Sequence, residues 1–329
     1  MTIIEAVGTA GTRTGGRAPE TWLGGRFRLD ERIRDERISP AGGSGTRVTA
    51  GGIPVWKATD ELLCRPVTVH LLPGGIPVPP HVAEAVRSAA RVSDPRLAAI
   101  YDTDFFPRAG RPYIVSEWTP GTHLEDLVLS GLTHPALAAA MIADAADALA
   151  VAHRAGRPHL RLTPRSLRWD PGCGLKITGL GLDAALYGAA GPAGRAGGPA
   201  DPVAADTAAL GRMLYALLTG YWPGEEATAL PPAPRHKGRV CTPRQIRAGV
   251  PARLDAIAYR ALWGEAPDAP LRAQTPAGLA MALRMVQRPS HQLGRPEDEA
   301  GPGPGRRHPR HARARAGSGP RTTLLRPAG

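Results

Sequence analysis

The sequence predicts an α+β protein with a strand-rich first part and a mainly helical second part. Short runs of alternating apolar residues fill the first 120 or so positions, and long stretches of helical apolar period follow them. Both ends lack a sustained period, and the C-terminal end is crowded with Pro, Gly and Arg. The predicted layout is therefore a disordered lead, a folded domain in two parts and a disordered tail, at about 1–24, 25–118, 119–287 and 288–329.

Alternation and turn residues place the strands of the first part. They are predicted at 27–33, 55–58, 66–72, 96–104 and 113–117. A loop with many glycines, 39–52, separates the first two strands, and Asp60-Glu61 forms the turn between the second and third. The stretch 81–92 is helical by pattern and ends before Pro95, because the residue preceding a proline avoids helical geometry.

The second part is predicted to be helical around one small pair of strands. Helices are expected at 135–154, 206–219, 251–262 and 276–286. Two short strands, 167–169 and 175–178, are joined by the turn residues Asp170-Pro171-Gly172. A loop with glycines at both ends, 179–181, comes directly after them. Gly220 ends the helix that begins at Asp206.

Charge and cysteine content limit the classes of partner and compartment. The net charge is +12, but seven arginines and no acid lie between Arg306 and the C-terminus, so the rest is only mildly basic. The three cysteines are far apart without a Cys-x-x-Cys pair, which argues against zinc and disulfide frameworks. The most apolar window, 136–151, is interrupted by two aspartates. No transmembrane segment is predicted, and a cytoplasmic location is expected.

Four motifs in a fixed order carry a resemblance to a known family. Residues 159–166 (HLRLTPRS) resemble the His-Arg-Asp-Leu-Lys-Pro-x-Asn catalytic loop of protein kinases, and 179–181 (GLG) resembles the Asp-Phe-Gly that follows it. Glu117-Trp118 resembles the hinge between kinase lobes, and 206–219 resembles a long helix of the kinase C-lobe. The chain is thus similar to bacterial eukaryotic-like serine/threonine kinases over about 25–286, which implies a two-lobed protein-kinase-like fold.

At five positions the resemblance assigns a catalytic role to a residue without the required chemistry. The lysine that pairs with ATP phosphates becomes His70, and its helix glutamate becomes Ala85. The base becomes Arg161, and the two magnesium ligands become Ser166 and Gly179. Arginine cannot accept a proton, and glycine has no ligand atom. Loss of a base alone costs a factor of ~10²–10⁴, so catalysis by the ordinary route is not expected.

The resemblance also implies which residues would line a nucleotide cleft. They are Val55, Thr68, His70, Glu117, Trp118 and Leu167. Arg168 falls near the cleft floor, and a slip of one residue that would place Leu167 or Trp169 there stays open. No cofactor is expected: magnesium binding is not expected, and ATP binding is left open. Glu84 lies one helical position away from the glutamate site, so it is expected to face elsewhere.

Structural positions of the family keep suitable residues. His159, Leu180 and Asp206 are expected to pack and to anchor the catalytic loop, with the Asp206 carboxylate facing backbone amides of that loop. Arg161 is expected to be solvated in an open cleft. His153 and His159 are interpreted as hydrogen-bonded histidines rather than a metal pair, and no metal site is predicted.

Three functional hypotheses follow. The first is a pseudokinase that binds a protein partner in signalling or cell-envelope regulation, because HLRLTP and PVTVHLLP look similar to actinobacterial kinase-like proteins of the cell envelope. The second is a weakly active ATP-dependent kinase that uses Lys57, Lys176 or Asp183. The third is an adaptor whose basic tail beyond Arg306 binds nucleic acid or an anionic surface; a solvated tail is favoured over this.

Overall fold

The computed structural model describes residues 21–36, 53–75, 77–107, 110–188, 201–263 and 274–287. The strands are β1 (Thr21–Leu23), β2 (Phe27–Glu36), β3 (Ile53–Asp60), β4 (Arg65–Leu71), β5 (Ile100–Asp104), β6 (Tyr113–Glu117), β7 (Thr122–His123), β8 (Leu167–Asp170), β9 (Gly174–Ile177), β10 (Arg235–His236) and β11 (Arg239–Val240). The helices are α1 (Pro80–Ala89), α2 (Leu124–Ser130), α3 (Pro135–Arg154), α4 (Asp183–Tyr187), α5 (Pro202–Thr219), α6 (Pro243–Ile246), α7 (Ala252–Trp263) and α8 (Pro276–Gln287).

The N-terminal lobe is a six-stranded antiparallel sheet with the order β1-β2-β3-β4-β6-β5. Alternation along β4 sends Val67 and Val69 to one apolar face, where they pack with Phe27 and Tyr113. Thr68 and His70 point to the other face, together with their cross-strand partners on β3. This second face forms the roof of the cleft between the lobes.

Helix α1 covers part of the second face of the sheet. Pro80 sits at the start of the helix, where its missing amide hydrogen is not needed. Val82 and Val86, one turn apart, are fully buried and pack with Ile53 and Ile114 of the sheet. The cluster also includes residues of α4, so this small helix, which follows the loop 179–181, packs into the N-terminal lobe.

The C-terminal lobe is a bundle in which α3, α5, α7 and α8 share one core. Alanines fill most buried positions of α3, which lets α5 and α8 pack closely against it. A Cβ at Gly211 of α5 would lie 2.8 Å from the Ala261 Cβ, so this glycine permits close packing of α5 against α7. Asp201 caps α5 by accepting from the amides of Val203 and Ala204.

Helix α3 is the one described helix that is long and apolar enough to cross a membrane. Length and composition alone do not distinguish such a span from a core helix. In α3, 67% of the most apolar window is buried against the rest of the fold. The burial identifies α3 as a core helix of this lobe.

Backbone hydrogen bonds tie the two lobes together behind the cleft. Ala98 donates to the Ile177 carbonyl at 2.8 Å, and Ile177 donates to the Arg96 carbonyl at 2.7 Å. These bonds join the segment before β5 to strand β9. As a result, the roof from β3 and β4 and the floor from β8 and β9 are held on either side of the hinge.

The predicted α+β, two-lobed class is confirmed, and so are the five main strands and the major helices. The predicted lead is wrong at its end, since Thr21–Leu23 pairs with β2. The strand predicted from 96 begins at Ile100, and α5 begins at Pro202, four residues before the predicted start. Helix α2 and the β10–β11 hairpin were not predicted. Several predicted features lie outside the described residues: positions 1–20, the loop 39–52 with its many glycines, the segment 189–200, the motif at 271–272 and the tail.

Candidate functional site

Asp206 is the central anchor of the catalytic-loop region. It is 1% exposed, and its carboxylate accepts from the backbone amide of His159 at 2.7 Å and from that of Leu160 at 2.8 Å. His153 contacts the same carboxylate at 2.8 Å through Nε2. Leu160 has a φ of +62°, a conformation that a side chain adopts at a cost, and the bond to Asp206 holds it there. The predicted contact of Asp206 with the loop amides is confirmed.

His159 is buried beneath the same loop. Its Nε2 lies 2.8 Å from the Thr178 carbonyl, and its Nδ1 accepts weakly from the Arg161 amide at 3.4 Å. This pair of partners fits the neutral tautomer with hydrogen on Nε2. Burial is the largest cause of a lowered pKa for His159. His153 and His159 are therefore hydrogen-bonded residues beside the catalytic loop, as the sequence predicted.

His70 occupies the roof position assigned to the phosphate lysine. It is paired across the sheet with Val55, and burial lowers the pKa of its imidazole to about 4. The side chain is thus uncharged at neutral pH and cannot act as a cation. On α1, Ala85 provides no carboxylate, and Glu84 is exposed beside Arg91 at 3.9 Å. The expectation that Glu84 faces elsewhere is confirmed.

Arg161 occupies the position of the catalytic base. Its side chain is hydrogen-bonded to the end of α4 and the residue after it, which follow the loop 179–181. Its Nη1 donates to the carbonyls of Tyr187 at 3.2 Å and Gly188 at 3.0 Å. The guanidinium carbon also lies 5.6 Å from the centroid of the Tyr187 ring. Burial lowers the pKa of Arg161, though a guanidinium keeps its charge. The expectation of a solvated Arg161 in an open cleft is wrong, because these carbonyls and the ring cover it.

Ser166 and Gly179 replace the two magnesium ligands, and both positions are used within the chain. Ser166 is 3% exposed; its hydroxyl accepts from the Thr163 amide at 3.2 Å and contacts the Thr163 hydroxyl. Gly179 has a φ of +84°, and a Cβ placed there would collide with the carboxylate of Asp183. The Asp183 carboxylate therefore lies where a side chain at position 179 would begin.

Helix α4 closes the back of the cleft against α1. A Cβ at Gly181 would be 2.5 Å from the Ala89 Cβ and 3.0 Å from the Ala85 carbonyl oxygen, so the glycine loop and α1 are in close contact. Leu182 and Leu186 are buried in the cluster between α1 and the sheet. Leu180, by contrast, packs into the core of the C-terminal lobe at 7% exposure, which agrees with its predicted structural role.

The front of the cleft is formed by Trp118 and two cations. Lys57 Nζ, from β3, lies 5.1 Å from the centroid of the Trp118 ring, and Arg168 Cζ, from β8, lies 6.0 Å from the ring centroid. Arg168 also donates to the Gly121 carbonyl at 2.6 Å and to His123 Nε2 at 2.8 Å. Burial, with the nearby arginines, lowers the pKa of His123 to about 4 and keeps it a neutral acceptor.

Leu167 does not line the cleft. It is fully buried in the core of the C-terminal lobe and pairs with Ile177, so alternation along β8 places Arg168 on the cleft side. Its assignment to the cleft is wrong, and the register with Arg168 at the floor is the correct one. Two further predicted lining residues meet at the hinge, where the Thr68 hydroxyl donates to the Glu117 carbonyl at 3.3 Å.

Sequence reasoning missed three contacts that define this site. They are the Asp183 carboxylate over Gly179, the Arg161 contacts with 187–188, and the Lys57–Trp118 pair. A signal existed for the first, since Asp183 follows Gly179 by four residues, the spacing of one helical turn. The others join distant elements and leave no local pattern. Lys176, proposed as a relocated cation, is bound to Glu117 at 2.5 Å.

No group of three or more His, Cys, Asp or Glu side chains in the part of the chain that the structure describes could hold a metal ion. Lys57 and Asp183, also considered as relocated catalytic groups, contact Trp118 and Gly179 respectively. Within 21–36, 53–75, 77–107, 110–188, 201–263 and 274–287, the site therefore offers cations and hydrogen-bonded loops but no multidentate carboxylate cluster.

Comparison with known proteins places the chain near bacterial kinases. It is 29% identical over 273 residues to "Probable serine/threonine-protein kinase CE0033" of Corynebacterium efficiens, covering 74% of this chain and 41% of that protein. It is 29% identical over 229 residues to serine/threonine-protein kinase PknB of Mycobacterium tuberculosis, covering 62% and 36%. "Probable serine/threonine-protein kinase pknA2" of Bifidobacterium longum is 27% identical over 172 residues, covering 50% and 21%. The chain thus spans well under half the length of these relatives. No protein-family model matches it.

Proposed function

Because this chain belongs to the family of bacterial eukaryotic-like serine/threonine protein kinases, we propose that it is a pseudokinase, a kinase-like domain that acts by binding another protein. The observation that carries the proposal is the Asp183 carboxylate lying against Gly179. It fills the space from which a metal-binding side chain would extend. Ser166, at the other metal position, is buried and its hydroxyl is engaged by Thr163.

A magnesium–nucleotide complex does not fit this arrangement of donors. Magnesium prefers octahedral oxygen coordination, usually from one or two carboxylates and the substrate phosphates. The assigned positions supply no carboxylate, and their one hydroxyl is buried. Neutral His70 would leave the α- and β-phosphates without their cation. We infer that the cleft does not bind magnesium and ATP as an active kinase does.

The position of the base supports the same proposal. A general base must accept a proton from the acceptor hydroxyl, and Arg161 carries a permanent positive charge. It also holds the carbonyls at 187 and 188 against the catalytic loop. An acceptor side chain would have to displace this contact. Arg161 is therefore better explained as a residue that fixes the chain after α4 than as a participant in phosphoryl transfer.

A weakly active kinase is the second candidate, and one observation favours it. The Asp183 carboxylate lies close to the metal position, so it could supply a single oxygen ligand if the phosphates supplied the others. The cation would then have to come from Lys57, which contacts Trp118 at the front of the cleft. This route still lacks a base, and loss of a base alone costs a factor of ~10²–10⁴.

A thermal-shift and phosphotransfer experiment on the full chain separates the two candidates. Unfolding midpoints are measured with ATP alone, with magnesium alone and with both, and incorporation of labelled phosphate into the chain and a generic acceptor is followed in parallel. We expect no magnesium-dependent shift and no incorporation above ~1% of a normal rate of roughly 1–100 per second. Incorporation that Asp183→Asn abolishes and Asp201→Asn leaves intact would overturn the pseudokinase proposal.

The proposed location is the cytoplasm, and the proposed partner is a protein of a signalling or cell-envelope pathway. All three cysteines are free, with Cys64 and Cys173 exposed, which suits a reducing compartment. The kinase relatives support a role in signalling. The alternative of an adaptor for nucleic acid rests on the tail beyond Arg306, which lies outside the described residues.

A further inference from the structure

An exposed basic hairpin projects from the C-terminal lobe between α5 and α6. It consists of β10, the turn at Lys237-Gly238 and β11, and every residue from 234 to 239 (PRHKGR) is exposed. The sequence resemblance assigns this hairpin no role, and it has no part in the cleft. Its composition and exposure therefore call for a separate explanation.

The hairpin is held rigidly at its base. The Tyr215 hydroxyl, on buried α5, donates to the Cys241 carbonyl at 2.7 Å, and the Cys241 amide donates to the Pro234 carbonyl at 2.9 Å. Upstream, the amide of buried Trp222 donates to the Pro231 carbonyl at 2.8 Å. These bonds fix both ends of the hairpin to the core of the lobe, so its position does not depend on its own two short strands.

The turn presents a lysine in an unfavourable backbone conformation. Lys237 has a φ of +50° and Gly238 a φ of +79°, which is the pair of positive angles that a type I′ turn requires. Asn or Gly is the usual residue at the first of these positions, because other side chains are strained there. Arg235 Nη1 braces the turn by donating to the Gly238 carbonyl at 3.3 Å. The fold thus keeps a lysine at the tip despite the strain.

The charges of the hairpin are not neutralised by the described part of the chain. No acidic residue occurs between Glu226 and Asp255. Arg235, Lys237, Arg239 and Arg244 form no side-chain ion pair with any described residue, and all four are exposed. The nearest acid that contacts them is Asp255, whose carboxylate accepts from the backbone amide of Arg244 at 2.8 Å. Arg284 of α8, by contrast, is exposed and paired with two aspartates of α3. The hairpin is therefore a concentrated, accessible patch of positive charge.

We propose that this basic hairpin, Pro234–Arg239 with Arg244, is a docking surface for an acidic segment of a partner protein. The proposal rests on the proposed function, that the protein acts by binding, and adds the chemistry of the partner. In an extended peptide, carboxylates two residues apart lie about 7 Å apart. The cationic side chains of a six-residue hairpin can reach two or three such groups.

A protein segment suits this surface better than a nucleic acid. A specific single-module interface with DNA buries about 600–1,000 Å² and is usually extended along the phosphate backbone. This hairpin is far smaller, and the exposed residues 234–239 include no aromatic side chain for base stacking. A short acidic segment of a protein, with two or three carboxylates, matches the length of this hairpin better than an extended phosphate backbone does.

The test compares two charge-matched variants of the full chain. Lys237→Asn with Arg239→Gln removes two charges from the hairpin, and Asn tolerates the positive φ of the turn. Arg154→Gln with Arg157→Gln removes two charges from exposed positions, the last residue of α3 and the turn that follows it, and serves as the control. The probe is a fluorescein-labelled octapeptide of alternating Glu and Ser, with hydrogen exchange recorded across 230–246.

We expect the hairpin variant to bind the acidic peptide roughly fivefold more weakly at low salt and the control to change by less than about twofold. Peptide binding should protect the amides at 235–241 in the wild type and in the control variant, but not in the hairpin variant. Equal weakening in both variants, or protection confined to the tail, would overturn the proposal. So would duplex DNA or phosphatidylserine vesicles that bind more tightly than the peptide with the same dependence on Lys237 and Arg239. Phosphotransfer activity combined with hairpin-dependent binding would contradict only the pseudokinase proposal.

Discussion

The anchor at Asp206 and the positions assigned to phosphate chemistry differ in the polar side chains that they carry. At the anchor, one buried carboxylate satisfies two backbone amides and His153. At the positions assigned to phosphate chemistry, a neutral imidazole, a serine and a glycine replace the lysine, asparagine and aspartate that the kinase motifs carry. The anchor makes the contacts that the resemblance implies, whereas these positions lack the groups that it implies.

The positions that lack the side chains of the kinase motifs are still well packed within the chain. Each changed position makes a contact within the chain: Gly179 with the Asp183 carboxylate, Arg161 with two carbonyls, and Ser166 with Thr163. Buried polar groups left without partners would be costly, so these contacts stabilise the altered site. Mutations at the Asp206 anchor and mutations at the positions assigned to phosphate chemistry should therefore differ in their effect on stability.

The largest expected effect is that of Asp206→Ala. The change leaves the amides of His159 and Leu160 buried without an acceptor and removes charge-assisted bonds, so we expect a loss of roughly 2–4 kcal/mol in the free energy of unfolding. Urea denaturation measures it directly. Asp206→Asn keeps one acceptor oxygen and should lose less than the alanine variant.

Arg161→Ala is the matched comparison from the chemical side of the cleft. Its bonds reach backbone carbonyls at the edge of the described fold, which water can replace, so about 1 kcal/mol is expected. The Asp206→Ala variant should therefore have a much lower free energy of unfolding than the Arg161→Ala variant. If Arg161→Ala destabilised as strongly, the contact with 187–188 would be a main support of the fold, and the contrast between anchor and chemical positions would fail.

Gly179→Asp should destabilise rather than restore the site. A side chain at φ +84° is strained, and its Cβ would collide with the Asp183 carboxylate, so a loss of about 2–3 kcal/mol is expected. Combining it with Asp183→Gly removes the collision and should recover part of the loss. Denaturant unfolding of the single and double variants checks this. Full stability of Gly179→Asp alone would show that Asp183 moves away easily.

The smallest expected effect is the pH dependence that His70 contributes. Its pKa falls from 6.5 in the unfolded chain to about 4 in the fold, so between these values only the unfolded state binds the proton. Stability is thus fully present above pH 6.5 and lost as the pH falls towards 4. The side chain keeps some contact with solvent, so we expect a loss on the order of 1–3 kcal/mol. The aspartates with lowered pKa values change stability only at a pH below this range.

His70→Leu provides the control for that dependence. Leucine keeps an apolar side chain in the roof and has no proton to bind, so the fall in stability from about pH 7 to about pH 5 should be smaller than in the wild type. The pKa values of His123 and His159 are also lowered by burial, so these two histidines contribute to the remaining pH dependence. Identical slopes for the variant and the wild type would show that His70 is not buried in the folded protein.

Local pattern was sufficient for the strands and the long helices. Alternation along β4 and helical period along α5 depend on neighbours in sequence, and both predictions are confirmed. The Asp206 anchor was expected from the resemblance to kinases, which implies that this carboxylate faces the amides of the catalytic loop, and the contacts are present in the structure. The β10–β11 hairpin was missed because its two-residue strands are too short for a periodic signal.

Sequence alone determined which positions lack the side chains of the kinase motifs, because side-chain chemistry does not depend on the fold. Glycine has no ligand atom and arginine accepts no proton wherever they lie. Only the tertiary structure decided what these residues do instead. The partners of Arg161 and Lys57 come from elements distant in sequence, and the face of Leu167 depends on the register of β8. Such contacts arise when elements pack, so no local pattern records them.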